Sequence, residues 1–342
     1  MDRRKFMGLL GGAHLVSIER ARADHKVISA DPLEVVSILN SLEERYTPIA
    51  DFYVRNHYRS LSVPAENTLT IEGEVEKPQR LALADLSRVE KRGFGAVLEC
   101  AGNPVSPAGL VSNGLWEGFA LSDILAMARP SGSATYLHLF GRDGYSRSVP
   151  LERAGQDALL VTSLNGQPLV RNLGAPWRIL FPRWYGMDSV KWLERIVVAT
   201  APLPPKENSY LEMRNKGPGQ IDVQPLPRLQ VKSVIVEPAE GSVVERGRLR
   251  IRGLAWTGEG TISKVEASGD GGNQWRDAQA DRAAGYEWVR WESFVQLDRR
   301  GPVELASRAT DSGNHTQPDK KDPARLDGYT SNWYHRVKCV VV

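Results

Sequence analysis

The sequence predicts an α+β body followed by an all-β, immunoglobulin-like sandwich, and three observations carry that prediction. At 342 residues the chain is long enough for two domains, each with its own core. Between residues 30 and 222, short amphipathic stretches mix with alternating strands, without the regular strand–helix alternation of a doubly wound sheet. From residue 228 to 342, short β patterns follow one another between turn signals, with no helical period.

The elements justify this in order. Met1-Asp2-Arg3-Arg4-Lys5-Phe6-Met7, then a Gly-rich apolar stretch and Ala21-Arg22-Ala23, has the form of a twin-arginine export signal over residues 1–23. A frayed basic terminus is the other reading, since His14 and Glu19 interrupt the apolar run. Residues 31–36 and 121–126 read as short amphipathic helices. Residues 69–75 alternate as a half-buried strand does, and residues 158–164 form an apolar segment ending in the Asn165-Gly166 turn. Gly217-Pro218-Gly219 and Pro225-Leu226-Pro227 mark a linker. Strands are then expected at 231–236, 249–255, 263–268, 288–297, 303–309 and 334–342, with a hairpin turn at Gly269-Asp270-Gly271-Gly272.

Charge narrows the function classes. Lys and Arg total 44 against 41 Asp and Glu, a net charge of +3, so nothing supports a nucleic-acid binder, although one local basic pocket remains possible. No apolar run reaches the roughly 18 residues of a membrane-spanning helix. With two cysteines far apart, Cys100 and Cys339, neither a disulfide scaffold nor a cysteine-rich zinc cluster is available. Cys339 sits among Val337, Val340, Val341 and Val342 as apolar filling. Cys100 differs: Val97-Leu98-Glu99-Cys100-Ala101-Gly102-Asn103 runs an apolar strand into a thiol and then a turn. Alone, that is most often a small buried hydrophobe.

The context changes the reading. Phe52-Tyr53-Val54-Arg55-Asn56-His57 precedes it. Leu115-Trp116-Glu117-Gly118, Gly174-Ala175-Pro176-Trp177-Arg178 and Gly186-Met187-Asp188-Ser189-Val190-Lys191-Trp192-Leu193 follow. Farther on come Gly253-Leu254-Ala255-Trp256, Ser268-Gly269-Asp270-Gly271-Gly272-Asn273-Gln274-Trp275 and Trp333-Tyr334-His335-Arg336-Val337. In this order the phrases resemble the sulfite oxidase family of molybdenum-pterin oxidoreductases, over nearly everything after the leader.

The resemblance implies a mixed α/β molybdopterin domain at 30–222 and an immunoglobulin-like dimerisation domain at 228–342. It implies one pterin per molybdenum, with the Cys100 thiolate as the protein's metal ligand, a soft donor suited to such a metal. Asn56, His57, Asp143, Arg178, Ser189, Val190 and Lys191 would hold the cofactor, the two cations meeting its phosphate. A core histidine competes as the reading of His57, and a turn aspartate as that of Asp143. Arg55, Trp116 and Tyr210 would face a small anion, sulfite above all; core packing competes at Trp116, and structural packing at Tyr210. The implied reaction is oxygen-atom transfer in a periplasmic homodimer. Without a Cys-x-x-Cys-His haem motif, electrons would pass to a separate c-type cytochrome.

Three positions depart from the family pattern. Val105 and Asp327 stand where arginines are common, and Leu173 where a histidine or asparagine is common, with Asn172 beside it. Arg183, Arg142 or Arg214 would have to restore the missing charge. The alternatives are an enzyme of the same fold acting on another oxo substrate, such as a sulfoxide, or a non-catalytic β-sandwich binding protein with a degenerate pocket.

Overall fold

The computed structural model describes residues 25–39, 44–59, 67–204, 210–283 and 285–342, so the twin-arginine segment lies outside the described residues. Among them stand 24 strands and one α-helix, Leu121–Ala128. The N-terminal body is therefore mostly β rather than evenly α+β. The expected helix at 31–36 is a strand, Leu33–Ser37, paired with His25–Ala30 on one side and Val54–Arg55 on the other. Val35 and Val36 are β-branched and fit a pleated surface better than a helix turn. The helix expected at 121–126 is present, burying Leu121, Ile124, Leu125 and Ala128 on one face.

Two five-stranded sheets build that body. One contains Lys91–Glu99, Val111–Ala120 and Leu159–Leu164 side by side, with Arg178–Leu180 paired to the last. The other runs Gln79–Ala82, Thr68–Gly73, Leu193–Ala199, Tyr136–Gly141, Ser146–Pro150, with only Thr68–Gly73 and Leu193–Ala199 parallel. Leu69, Ile71, Phe119, Ile124, Leu139, Leu160 and Ile196 join the two sheets and the helix in one core. Asn165 and Gly166 turn the chain after Leu164 with φ of 51° and 73°, values that Asn and Gly tolerate best.

The expected linker at 217–219 is instead a hairpin turn joining Leu211–Gly217 to Gln220–Pro225. Gly217 and Gly219 take φ of 134° and 73°, where a side chain would be strained. Beyond it, the six expected strands appear as Lys232–Glu237, Gly247–Trp256, Ile262–Ser268, Val289–Leu297, Gly301–Asp311 and His335–Val341. With the short strands Val243–Val244, Arg276–Asp277 and Gln279–Ala280 they form a four-stranded and a five-stranded sheet over a shared core of Ile251, Val265, Trp291, Val295, Leu305 and Val337. A further apolar cluster joins the bodies: Val97, Ala101, Tyr185 and Met187 pack with Leu226, Leu229, Leu254, Trp256 and Trp288. No helix among the described residues is long and apolar enough to cross a membrane.

Candidate active site

Cys100 follows the last residue of the strand Lys91–Glu99 and begins a tight turn. Its N–H donates to the Leu110 carbonyl at 2.9 Å, and its own carbonyl accepts from the Asn103 N–H at 2.9 Å. The thiol lines an open cleft that it shares with Arg55, His57, Arg178, Lys191 and Tyr210. Burial pushes the thiol's pKa up, with the Gly102 N–H and the Arg55 charge opposing.

Four separate segments supply the rest of the wall. The short strand Val54–Arg55 delivers Arg55 and, two residues on, His57. Asn56 accepts a hydrogen bond from the Lys191 ammonium, which also donates to the Arg55 carbonyl at 3.2 Å. Asp143 lies in the turn between Tyr136–Gly141 and Ser146–Pro150, where its Oδ1 accepts from the Tyr145 N–H at 3.1 Å. It is thus a turn aspartate and a cleft residue at once, with its carboxyl pushed up by burial. Arg178 comes from the strand Arg178–Leu180, and Ser189, Val190 and Lys191 from the loop before Leu193–Ala199. The Ser189 hydroxyl accepts from the Phe181 N–H, so what it turns toward Arg178 is its carbonyl.

Electrostatics mark this as an anion site. Arg178 is buried, yet its guanidinium donates only to the carbonyls of Leu173, Ser189 and Ile179, and no carboxylate pairs with it among the described residues. Burial lowers its pKa to about 10, so it stays charged at neutral pH. Lys191 is lowered to about 7, first by burial and then by Arg178. Arg178, buried without an acidic partner, is costly until an anion arrives. The half-buried Lys191 beside it, with Asp143 opposing the loss of its charge, is held in the charged form by the same anion. A phosphate-bearing ligand satisfies both.

Tyr210 closes another side, its hydroxyl 3.5 Å from His57 Nδ1 and the Arg147 guanidinium 5.4 Å from its ring centre. Burial, then the nearby Cys100, raises its phenol to about 12, so it remains a donor. Burial and Arg55 both lower His57.

Two predicted site residues do not line the cleft: Asn56 is buried behind it, bonded to Lys191, and Trp116 lies in the core. Trp116 is fully buried behind the wall, its Nε1–H donating to the Ala96 carbonyl at 3.0 Å and its ring edge-on to Phe52. Strand alternation explains this: position 116 lies on the core face of Val111–Ala120, packed with Leu98, Leu164 and Leu180. The three candidate compensating cations are also elsewhere. Arg183 stacks on Tyr286, Arg214 pairs with Glu212 and Asp322, and Arg142 lies 3.9 Å from Glu194. Asp327 does not reverse the local charge unopposed. Burial acts to raise its pKa, but Arg325 and the Met213 and Tyr329 N–H groups hold it near 2. Leu173 does line the cleft.

Sequence reasoning passed over Tyr53, Tyr145 and Met187, which also line it. Tyr53 and Met187 stand inside phrases already singled out, and the Tyr145 hydroxyl donates to the Met187 carbonyl at 2.9 Å. Position within those motifs was the available signal.

The donor set fits a molybdenum-pterin group. Among the described residues no three His, Cys, Asp or Glu side chains are grouped to hold a metal. A metal beside Cys100 would need its other ligands from a cofactor or solvent, and Arg178 and Lys191 suit the phosphate of a pterin cofactor.

Comparison with known proteins agrees. Residues 58–207 match the model of the oxidoreductase molybdopterin binding domain, and residues 224–342 that of the Mo-co oxidoreductase dimerisation domain. Sulfite oxidase of Gallus gallus is 31% identical, over 91% of this chain and 77% of its own. Mitochondrial sulfite oxidase of Homo sapiens is 32% identical, over 92% of this chain and 66% of its own, so the chain spans about two thirds of that relative. The crystal structure of the sulfane dehydrogenase SoxCD from Paracoccus pantotrophus superposes with a TM-score of 0.85 at 25% identity, covering 96% of this chain and 92% of that one. The chain belongs to the sulfite oxidase family: it is a molybdopterin-dependent oxidoreductase carrying the family's C-terminal dimerisation domain.

Proposed function

We propose that the enzyme oxidises sulfite to sulfate by oxygen-atom transfer and passes the electrons to a c-type cytochrome, as a periplasmic homodimer exported by the twin-arginine route. The observation that carries this reading is the Cys100 thiol in a cleft with Arg55, Arg178 and Lys191. In net terms, a water-derived oxygen atom joins sulfite, and two electrons and two protons leave. When bound at Cys100, the molybdenum-pterin group supplies the oxygen transfer and accepts the electron pair.

The chain's own residues bind and orient. Arg178 and Lys191, with Asn56 fixing the ammonium, hold the pterin phosphate. Arg55 faces the substrate with a half-exposed guanidinium suited to an oxyanion. Tyr210 keeps its proton at neutral pH and offers it as a hydrogen bond to substrate oxygen, with His57 behind it. Tyr53, Tyr145, Leu98 and Met187 narrow the cleft and exclude water. The two-sheet C-terminal body, read as immunoglobulin-like, supplies the dimer contact.

Turnover of sulfite with cytochrome c, measured beside reduction of a sulfoxide by reduced viologen and oxidation of a sulfane-sulfur compound, tests the substrate. Sulfite is expected to dominate; a faster rate in either other assay replaces it. Cys100→Ser should lower sulfite turnover by at least about a hundredfold and deplete bound molybdenum. Full metal-dependent turnover in that variant would remove the ligand assignment.

A further inference from the structure

We propose that Lys232, in the C-terminal body, is a positioning residue for the Cys100 thiol, acting through Glu99. The Lys232 ammonium lies 2.9 Å from Glu99 Oε1, with both side chains 2% exposed. The second carboxylate oxygen, Oε2, accepts from the Trp256 Nε1–H at 2.8 Å, again from the C-terminal body. Asn103 ties the arrangement to the cysteine turn. Its Nδ2 donates to Glu99 at 2.9 Å, its Oδ1 accepts from the Leu110 N–H at 2.9 Å, and its N–H donates to the Cys100 carbonyl. Lys232 also reaches the Asn103 carbonyl at 3.4 Å. From the same body the Thr330 N–H donates to the Ala101 carbonyl at 2.8 Å.

Successive residues of an extended segment face opposite ways. Glu99 therefore turns toward the C-terminal body while Cys100 turns into the cleft, and a rotation of one carries the other. A buried ion pair gains little net stability over apolar packing of the same volume. What it does supply is one orientation, since the carboxylate must meet the ammonium, an indole N–H and an amide together. The C-terminal body thus sets the cysteine turn as well as serving in dimerisation.

This deepens the reading of Cys100 as the metal ligand and rests on it. The test uses the full chain without cofactor, following alkylation of Cys100 and Cys339 by iodoacetamide with peptide mass mapping. In Lys232→Met, Cys100 should react at least about tenfold faster than in the parent, with Cys339 within twofold. Should that variant fail to fold, Trp256→Phe and the charge-free pair Glu99→Gln with Lys232→Met take its place, each expected to accelerate Cys100 at least threefold. In the loaded enzyme the same variants should shift the sulfur-to-metal absorption. An unchanged Cys100 rate in a folded variant, or equal acceleration of both cysteines, overturns the proposal. Alkylation needs no molybdenum, so this failure is distinct from failure of the ligand assignment, which Cys100→Ser reads.

Discussion

Arg55 shows how a neighbour tunes a charge at the cleft. Glu34 sits opposite it in strand register and forms an ion pair with it, placing a carboxylate at the mouth of an anion site. Val105, buried and apolar, adds no charge to offset that carboxylate. An incoming oxyanion must compete with Glu34 for the same guanidinium. Glu34→Gln is therefore expected to lower the KM for sulfite about threefold with kcat unchanged, a modest effect because the pair is half exposed. Steady-state kinetics check it, and an unchanged or raised KM would mean that Glu34 positions Arg55 rather than competing for it.

Among the elements, the pairing of Val111–Ala120 with Leu159–Leu164 carries the wall behind the cleft. A side chain at Gly118 would meet the Leu160 carbonyl oxygen at 2.1 Å and the Val161 Cα at 2.7 Å, both backbone atoms with nowhere to go. Gly118→Ala should part the two strands and cost about 3 kcal/mol, read as a lower urea midpoint. Arg178–Leu180 pairs with the same strand, so cofactor retention should fall with it. The loop carrying Ser189, Val190 and Lys191 is braced differently. Buried Asp188 takes Arg147 at Oδ1 (2.9 Å) and Arg153 at Oδ2 (2.7 Å), and Arg147 in turn covers Tyr210. The loop and Tyr210 therefore share one set of charges.

Across the whole molecule, the two bodies meet over an apolar cluster with the Glu99–Lys232 pair buried beside it. His335 lies in the C-terminal body, where its Nδ1 accepts from the Ile235 N–H at 3.0 Å. Burial, then Lys232, lowers its pKa to about 4. An unfolded chain would protonate it near 6.5, so the folded state's advantage is present above that pH and is lost as pH falls toward 4. The loss attributable to this one group is roughly 3 kcal/mol. Urea midpoints between pH 7 and 4 should fall more steeply for the parent than for His335→Gln, whose side-chain oxygen still accepts the Ile235 bond. Parallel pH profiles would assign the acid sensitivity to other groups.

Much is legible in the chain alone. Six strands of the C-terminal body, the helix after residue 120 and the Asn165-Gly166 turn follow from alternation, period and turn chemistry, which are local properties. Cys100, His57, Arg178 and Lys191 were identifiable because each stands in a distinctive phrase. What the chain alone did not disclose depends on distance through space. Trp116 has the same local appearance in a core as in a pocket wall, and only the packing of three strands decides between them. Residues 31–36 carry a helix-like pattern, overruled because strands on both sides complete their hydrogen bonds. The charged partners of Glu99, Arg55 and Asp188 lie 133, 21 and at least 35 residues away, separations that no local rule resolves.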